Sequence, residues 1–220
     1  MIMVINNSLT CLSTTELFVI NIFIYLNFLV VNIIEGLSLH MKMSQIKESK
    51  EKLMLVDLPY KQDDLSPILS SKNIKYHYDT LSRGYVDKFN KNEGDAAFNK
   101  AGAFLHNIWW PQLQKPKQNN KPTGSSLTFI EKHFEDFYQF KTDFITKALE
   151  IQGSGWTYLN IAGKIKNIAN HEIKNDIILI IDMWEHSYFL DYPADKKSYL
   201  RDIWQCINWN VISDRVNLKY

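Results

Sequence analysis

The sequence predicts an α+β fold: an N-terminal helical hairpin followed by a C-terminal α/β part with a three-stranded antiparallel sheet. Three observations point there. Two stretches with helical spacing, residues 73–91 and 96–113, are joined only by the short link NEGD. A run rich in proline, asparagine and glycine, QKPKQNNKPTGSS, then sets these helices apart from the rest. Beyond it, WTYLNIA, KIKNIA and IILIID are short apolar or alternating segments bounded by Gly, Asn and Lys, as strands are. With 220 residues, 45% of them apolar, the chain is long enough to bury a sizeable core. The expected organisation is an N-terminal extension over 1–52, a helical hairpin over 53–113, a linker over 114–124 and an α/β part over 125–220.

Each element follows from local chemistry. LPYKQDDLSPILS (58–70), with two prolines and an aspartate pair, suits an extended arm turning into the first helix. In NIKYHYDTLSRGYVDKFNK, Tyr78, Leu81, Tyr85 and Phe89 recur at helical spacing, with His77 one turn before Leu81. AAFNKAGAFLHNIWWPQL is the second helix. It should end near Trp110, because Pro111 disfavours helical geometry in the residue before it. SLTFIEKHFEDFYQFKTDFITKALEIQG offers two amphipathic helices, with Ser125 or Ser126 and Thr142 placed near their starts. After the strands, KKSYLRDIWQCINWNVISDRV reads as one helix and a second short one.

Composition excludes several classes. A formal charge of +1 gives no electrostatic reason to expect a nucleic-acid partner. Cys11 and Cys206, far apart, fit neither a disulfide framework nor a CxxC knuckle. Residues 17–34, LFVINIFIYLNFLVVNII, carry no charge over about the minimum length of a membrane-spanning helix, though three asparagines interrupt them. Three readings fit this segment: an anchor, a signal or targeting segment, or an over-extended start with the initiator at Met41 or Met43. No Lys or Arg precedes the run, and Lys42, Lys47, Lys50 and Lys52 follow it. The first and third readings both leave the downstream part in the cytoplasm, with a membrane partner only if residues 17–34 insert.

Six histidines occur, and most call for an ordinary explanation first. His40 sits in the extension, and His133 is expected to be solvated beside Lys132 and Glu135. His77 lies between Tyr76 and Tyr78, His106 stands before Trp109 and Trp110, and His186 follows Trp184. An unpaired imidazole among aromatics is costly, and Asp182, at the end of a buried strand, would be costlier still as an isolated anion. A cation resolves both, since three neutral imidazoles and one carboxylate form a borderline site suited to Fe, Mn or Zn.

The local words narrow this. YHYDTLSRGYVDKFN, FNKAGAFLHNIWWPQL, GSGWTYL, DMWEHSYFLDY and INWNVISDRV, in that order, resemble the iron/manganese superoxide dismutase family over roughly residues 55–217. The resemblance implies one Fe or Mn ion per subunit, held by His77, His106, Asp182 and His186 with solvent as a fifth ligand. It implies that Tyr85 is the gateway of the superoxide funnel and that His171 hydrogen-bonds the solvent ligand. Trp109, Trp156 and Trp184 would form the aromatic shell of the metal. Glu185 would pair with the ligand histidine of a second subunit, so a homodimer is expected. Gly102 leaves no glutamine at the location that many iron enzymes use. Leu81 and Phe189 stand where well-studied members carry a histidine and a tyrosine that meet across the dimer interface, which implies a drier funnel and altered proton delivery. The short hairpin makes tetramer contacts doubtful. The alternative reading is a non-catalytic, dismutase-like structural or membrane-tethered metal-binding subunit.

Overall fold

The computed structural model describes residues 14–47 and 51–219, in two units that divide after Glu51. The first unit is one helix, α1 (Thr14–Lys47). Its apolar side chains from Tyr25 to Leu39, among them Phe28, Val31 and Ile34, are exposed. Among the described residues no helix is long and apolar enough to cross a membrane. The anchor reading rests partly on residues 17–21, 23 and 24, whose side chains lie outside the described ones, as do Cys11 and the His40 ring.

The second unit begins with an extended arm. Asn90 brackets the backbone of Leu53, accepting from its N–H and donating to its carbonyl, both at 2.9 Å. Asn107 likewise takes the Val56 N–H at 3.0 Å and gives its amide to Met54 O at 2.8 Å. Two side-chain amides thus do for the arm what a neighbouring strand would do.

The hairpin helices come next: α2 (Ser71–Ile74), a π-helical stretch (Lys75–Ser82), α3 (Arg83–Lys91) and α4 (Ala96–Trp109). The sequence predicts helix throughout 73–91, but not the wide turns in its middle. Their effect is to move the inward face. Asn73, Ile74, His77, Tyr78, Ser82 and Val86 are buried, while Leu81, Tyr85 and Phe89 are only half-buried. The spacing of five between His77 and Ser82 belongs to a π turn. Asn92, left-handed at φ 56°, closes α3, and the Asp95 carboxylate caps α4 by accepting from Phe98 N at 3.0 Å. After α4, Trp110–Gln112 form a 3₁₀ turn around Pro111.

Helices α5 (Gly124–His133) and α6 (Phe137–Leu149) follow. The cap of α5 is Thr123, with Ser126 reaching back to it from the third helical position, so the start lies earlier than Ser125 or Ser126. Asp136 caps α6, accepting from Gln139 N at 2.7 Å. Thr142 sits inside that helix because its hydroxyl bonds the Tyr138 carbonyl at 2.8 Å and leaves the helical backbone intact. His133 is half-buried rather than solvated: its ring packs on Phe129 at 4.7 Å and covers Gly163, where a side chain would collide with it.

The sheet is β1 (Gly155–Asn160), β2 (Ile165–Ala169) and β3 (Ile177–Asp182), antiparallel, in the order β2-β1-β3. Both β1 and β3 are buried along their length, which is why IILII is a continuous aliphatic run. Their register sets Trp156 opposite Asp182. Behind the sheet, Phe137, Phe140 and Phe144 surround Trp204 with ring centroids 6.0, 5.7 and 5.3 Å away. Each such buried ring contributes roughly 1.5–3 kcal/mol. The chain ends in α7 (Lys196–Asp202) and α8 (Trp209–Lys219), so the second of the two predicted helices is the longer.

One polar cluster locks α4 to β3. Gln112 donates its amide to Ile180 O and accepts from Ile180 N at 3.3 Å. Arg215, from α8, donates to Gln112 Oε1 at 2.9 Å, Ile178 O at 3.1 Å and Ile108 O at 2.6 Å. Burial pulls the guanidinium down to about 10, the electrostatic cost of this clamp.

Candidate metal centre

Four side chains from different elements converge within the second unit. His77 comes from the π-helical stretch, His106 from α4, Asp182 from the last position of β3, and His186 from the 3₁₀ turn Glu185–Ser187. One ligand atom from each lies within 4.8 Å of all the others. Asp182 Oδ2 is 3.2 Å from His77 Nε2, 3.7 Å from His106 Nε2 and 3.5 Å from His186 Nε2. His77 Nε2 and His106 Nε2 face each other at 2.9 Å. His77, His106 and Asp182 are buried and His186 nearly so, with 14% of its side chain exposed.

The hydrogen bonds around this cluster fix which atoms face inward. His106 Nδ1 donates to Gly102 O at 2.7 Å, so its neutral ring keeps a lone pair on Nε2. Asp182 Oδ1 accepts from Trp184 N at 2.9 Å, leaving Oδ2 for the interior. The Asp182 carbonyl takes the hydroxyls of Tyr199 and Ser187, each at 3.0 Å, and so anchors the strand end. Asp182 Oδ2 and His186 Nε2 are buried with no hydrogen-bond partner among the described residues.

Those atoms make a poor hydrogen-bonded network and a good ligand set. A proton on His77 Nε2 can serve only one of the two acceptors before it. Burial lowers His77 to about 4 and takes His106 well below the ordinary imidazole range, so both rings are neutral at pH 7. Burial alone would raise Asp182, but the close approach of the His186 and His77 rings outweighs it and holds the carboxyl well below the usual carboxylate range. One anion and three lone pairs, all within 4.8 Å of one another, match an ion with bonds of about 2 Å. The cluster can hold one metal ion.

Aromatic rings enclose it. Trp156 stands edge-on to His106 at 5.0 Å, and Trp184 stacks on His186 at 5.4 Å. The third tryptophan differs from expectation. Trp110, not Trp109, packs on His77 at 4.6 Å, while Trp109 is buried in the core with its N–H unpartnered among the described residues. Position 110 is four residues after His106, on the same helix face, and that spacing was the available signal.

His171 is not among the converging four. Trp156 Nε1 donates to His171 Nδ1 at 3.1 Å, so the neutral ring carries its proton on Nε2, a buried donor without a partner among the described residues. Burial lowers this histidine to about 4, and its ring stacks on Trp184 at 4.6 Å. Tyr85 lies edge-on to His171 at 4.9 Å and over His106 at 5.4 Å. Burial, then the Asp182 charge, raises its phenol well above the usual range. The ring fits there only because residue 102 is glycine, since an added Cβ would sit 2.9 Å from it. Glu185 is exposed, Leu81 is half-buried, and Phe189 is half exposed at 49%. Sequence reasoning missed Ser82, Gln112, Tyr199 and Arg215, which carry no ligand signature and matter only through whom they touch.

Comparison with known proteins adds an independent line. Residues 52–96 match the family profile for the alpha-hairpin domain of iron/manganese superoxide dismutases, and residues 122–215 match the profile for their C-terminal domain. The superoxide dismutase [Fe] of Pyrobaculum aerophilum is 30% identical over 191 residues, covering 74% of this chain and 90% of the relative. The superoxide dismutase [Mn/Fe] of Porphyromonas gingivalis is 30% identical over 188 residues, covering 73% and 97%. The superoxide dismutase [Fe] of Escherichia coli K12 is 30% identical over 182 residues, covering 71% and 94%.

Proposed function

Because the chain belongs to the iron/manganese superoxide dismutase family, we propose that it converts superoxide to dioxygen and hydrogen peroxide at the His77–His106–Asp182–His186 cluster. The observation that carries this reading is the convergence of one carboxylate and three imidazole nitrogens in a buried, aromatic-walled site. When bound there, an Fe or Mn ion supplies a one-electron couple that oxidises one superoxide to dioxygen and reduces a second, which leaves as hydrogen peroxide after taking two protons.

The remaining work falls to side chains. Asp182 contributes the single negative charge of the cluster and thereby favours the more oxidised state of whatever it binds. The Gly102 carbonyl holds His106 in the tautomer whose Nε2 lone pair faces inward. His171 holds a proton on Nε2, and Tyr85 retains one on its hydroxyl because its pKa is raised, so both rings beside His106 are available as donors. The indoles of Trp110, Trp156 and Trp184 limit water around the ligands. Arg83, over the Tyr78 ring at 5.7 Å, can help draw the superoxide anion.

The same reading makes the protein a homodimer in the cytoplasm, with Glu185 bridging to the ligand histidine of the second subunit. Leu81 and Phe189 remove a polar pair together, which avoids a stranded partner and leaves a less hydrated approach. The non-catalytic alternative is not favoured, since no ligand of the four is missing from the cluster. The test is elemental analysis for Fe and Mn paired with a superoxide turnover assay, on the full chain and on protein begun at Met43. One ion per subunit with turnover is expected from both, and bound ion without turnover refutes the reading.

A further inference from the structure

Ser82 is fully buried at the end of the π-helical stretch, and its hydroxyl bonds two groups that bear on the metal cluster, one as donor and one as acceptor. It donates to the His77 carbonyl, five residues back, at 2.8 Å, and it accepts the Trp110 indole N–H at 3.1 Å. The Trp110 ring in turn packs on the His77 imidazole at 4.6 Å. One oxygen therefore ties the backbone of one ligand to the ring that braces the same ligand, and joins the two hairpin helices there. A serine hydroxyl inside an α-helix ordinarily bonds back three or four residues. A reach of five is the geometry of the π turn itself, which recurs at functional sites.

We propose that Ser82 is a positioning residue for the metal centre: its hydroxyl holds the wide turn and the Trp110 indole in the arrangement that aims His77 Nε2 at Asp182 Oδ2. Without it, the His77 carbonyl loses a donor and the Trp110 N–H is left buried and unpaired. His77 and Trp110 would then be free to shift by the few tenths of an ångström that separate a good ligand set from a loose one. The Leu81 side chain next to it is half-buried and offers no polar substitute.

The inference rests on the dismutase reading for the nature of the ion, and the two fail differently. The experiment compares full-length wild type, Ser82→Ala and Ser82→Thr, each titrated with Mn(II) alone after metal removal. The readouts are the binding constant and the electron paramagnetic resonance spectrum of the bound ion. Ser82→Ala is expected to weaken Mn(II) binding about tenfold and to change the spectrum, as loss of a group that orients a ligand does. Ser82→Thr, which keeps the hydroxyl, should recover most of both. If Ser82→Ala does not fold, the double variant Ser82→Ala, Trp110→Phe strands no indole N–H and is titrated in its place, with the same loss expected against Trp110→Phe alone. Binding and spectrum unchanged in Ser82→Ala, even with a lower melting temperature, would reduce Ser82 to a packing residue and overturn the proposal. So would equal losses in the alanine and threonine variants. Wild type that binds Mn(II) without turning over superoxide sinks the dismutase reading and leaves the positioning test standing.

Discussion

The hairpin delivers two ligands, and β3 with the 3₁₀ turn that follows it delivers the other two, but they hold them by opposite means. On the hairpin side, His77 and His106 project from helical turns and are aimed by single polar contacts, the Ser82 hydroxyl and the Gly102 carbonyl. On the sheet side, Asp182 ends a fully buried strand paired to Trp156, and three donors fix its carbonyl and one carboxylate oxygen. Helices supply ligands cheaply by spacing and then need individual braces, whereas a strand end inherits its rigidity from the core. The carboxylate, which sets the charge of the site, belongs to the stiffer half.

That contrast can be broken in order of expected effect. Asp182→Asn keeps the shape and removes the only negative charge among the four ligands. Superoxide turnover should fall by more than about a hundredfold, beyond what losing an outer partner costs, with the fold intact by circular dichroism. Arg215→Leu attacks the seam where the halves meet and removes the guanidinium donors from Ile108 O and Ile178 O, leaving Gln112 Oε1 with only the Ile180 N–H. It should cost about 2–4 kcal/mol of stability in denaturant titration, with ion binding lost only as the protein unfolds. Gly102→Ala tests the hairpin alone. The new methyl meets the Tyr85 ring at 2.9 Å, so the phenol must move. Turnover should drop several-fold, the stability cost should be about 1–2 kcal/mol, and ion content should stay unchanged.

The same division governs what was legible in the sequence. The sheet half could be read closely: the aliphatic run IILII, the aspartate that ends it and the histidine four residues on lie where a strand end and a turn must put them. In the hairpin, His77 and His106 were visible through their aromatic neighbours, yet the inward face was set one residue wrong beyond Tyr78. Periodicity assumes 3.6 residues per turn, and the π stretch from Lys75 to Ser82 breaks that assumption without any residue announcing it. The displacement of Trp109 by Trp110 has a different origin: regular helical spacing already places position 110, four residues after His106, on the ligand's face. Ser82, Gln112 and Arg215 were illegible for a different reason. Each reaches at least one partner far along the chain, 28, 68 and 107 residues away, in bonds that only the folded chain creates.

Gln112 also bears on the fate of the protein in a crowded solution. A three-stranded sheet in the order β2-β1-β3 leaves β3, its most aliphatic strand, on the outside. By meeting both backbone groups of Ile180, the glutamine amide acts as a one-residue strand, and Arg215 occupies the next free carbonyl at Ile178. The rim that could otherwise recruit other chains into extended, insoluble stacks is buried along its length, and these two side chains satisfy its outward backbone groups at Ile178 and Ile180.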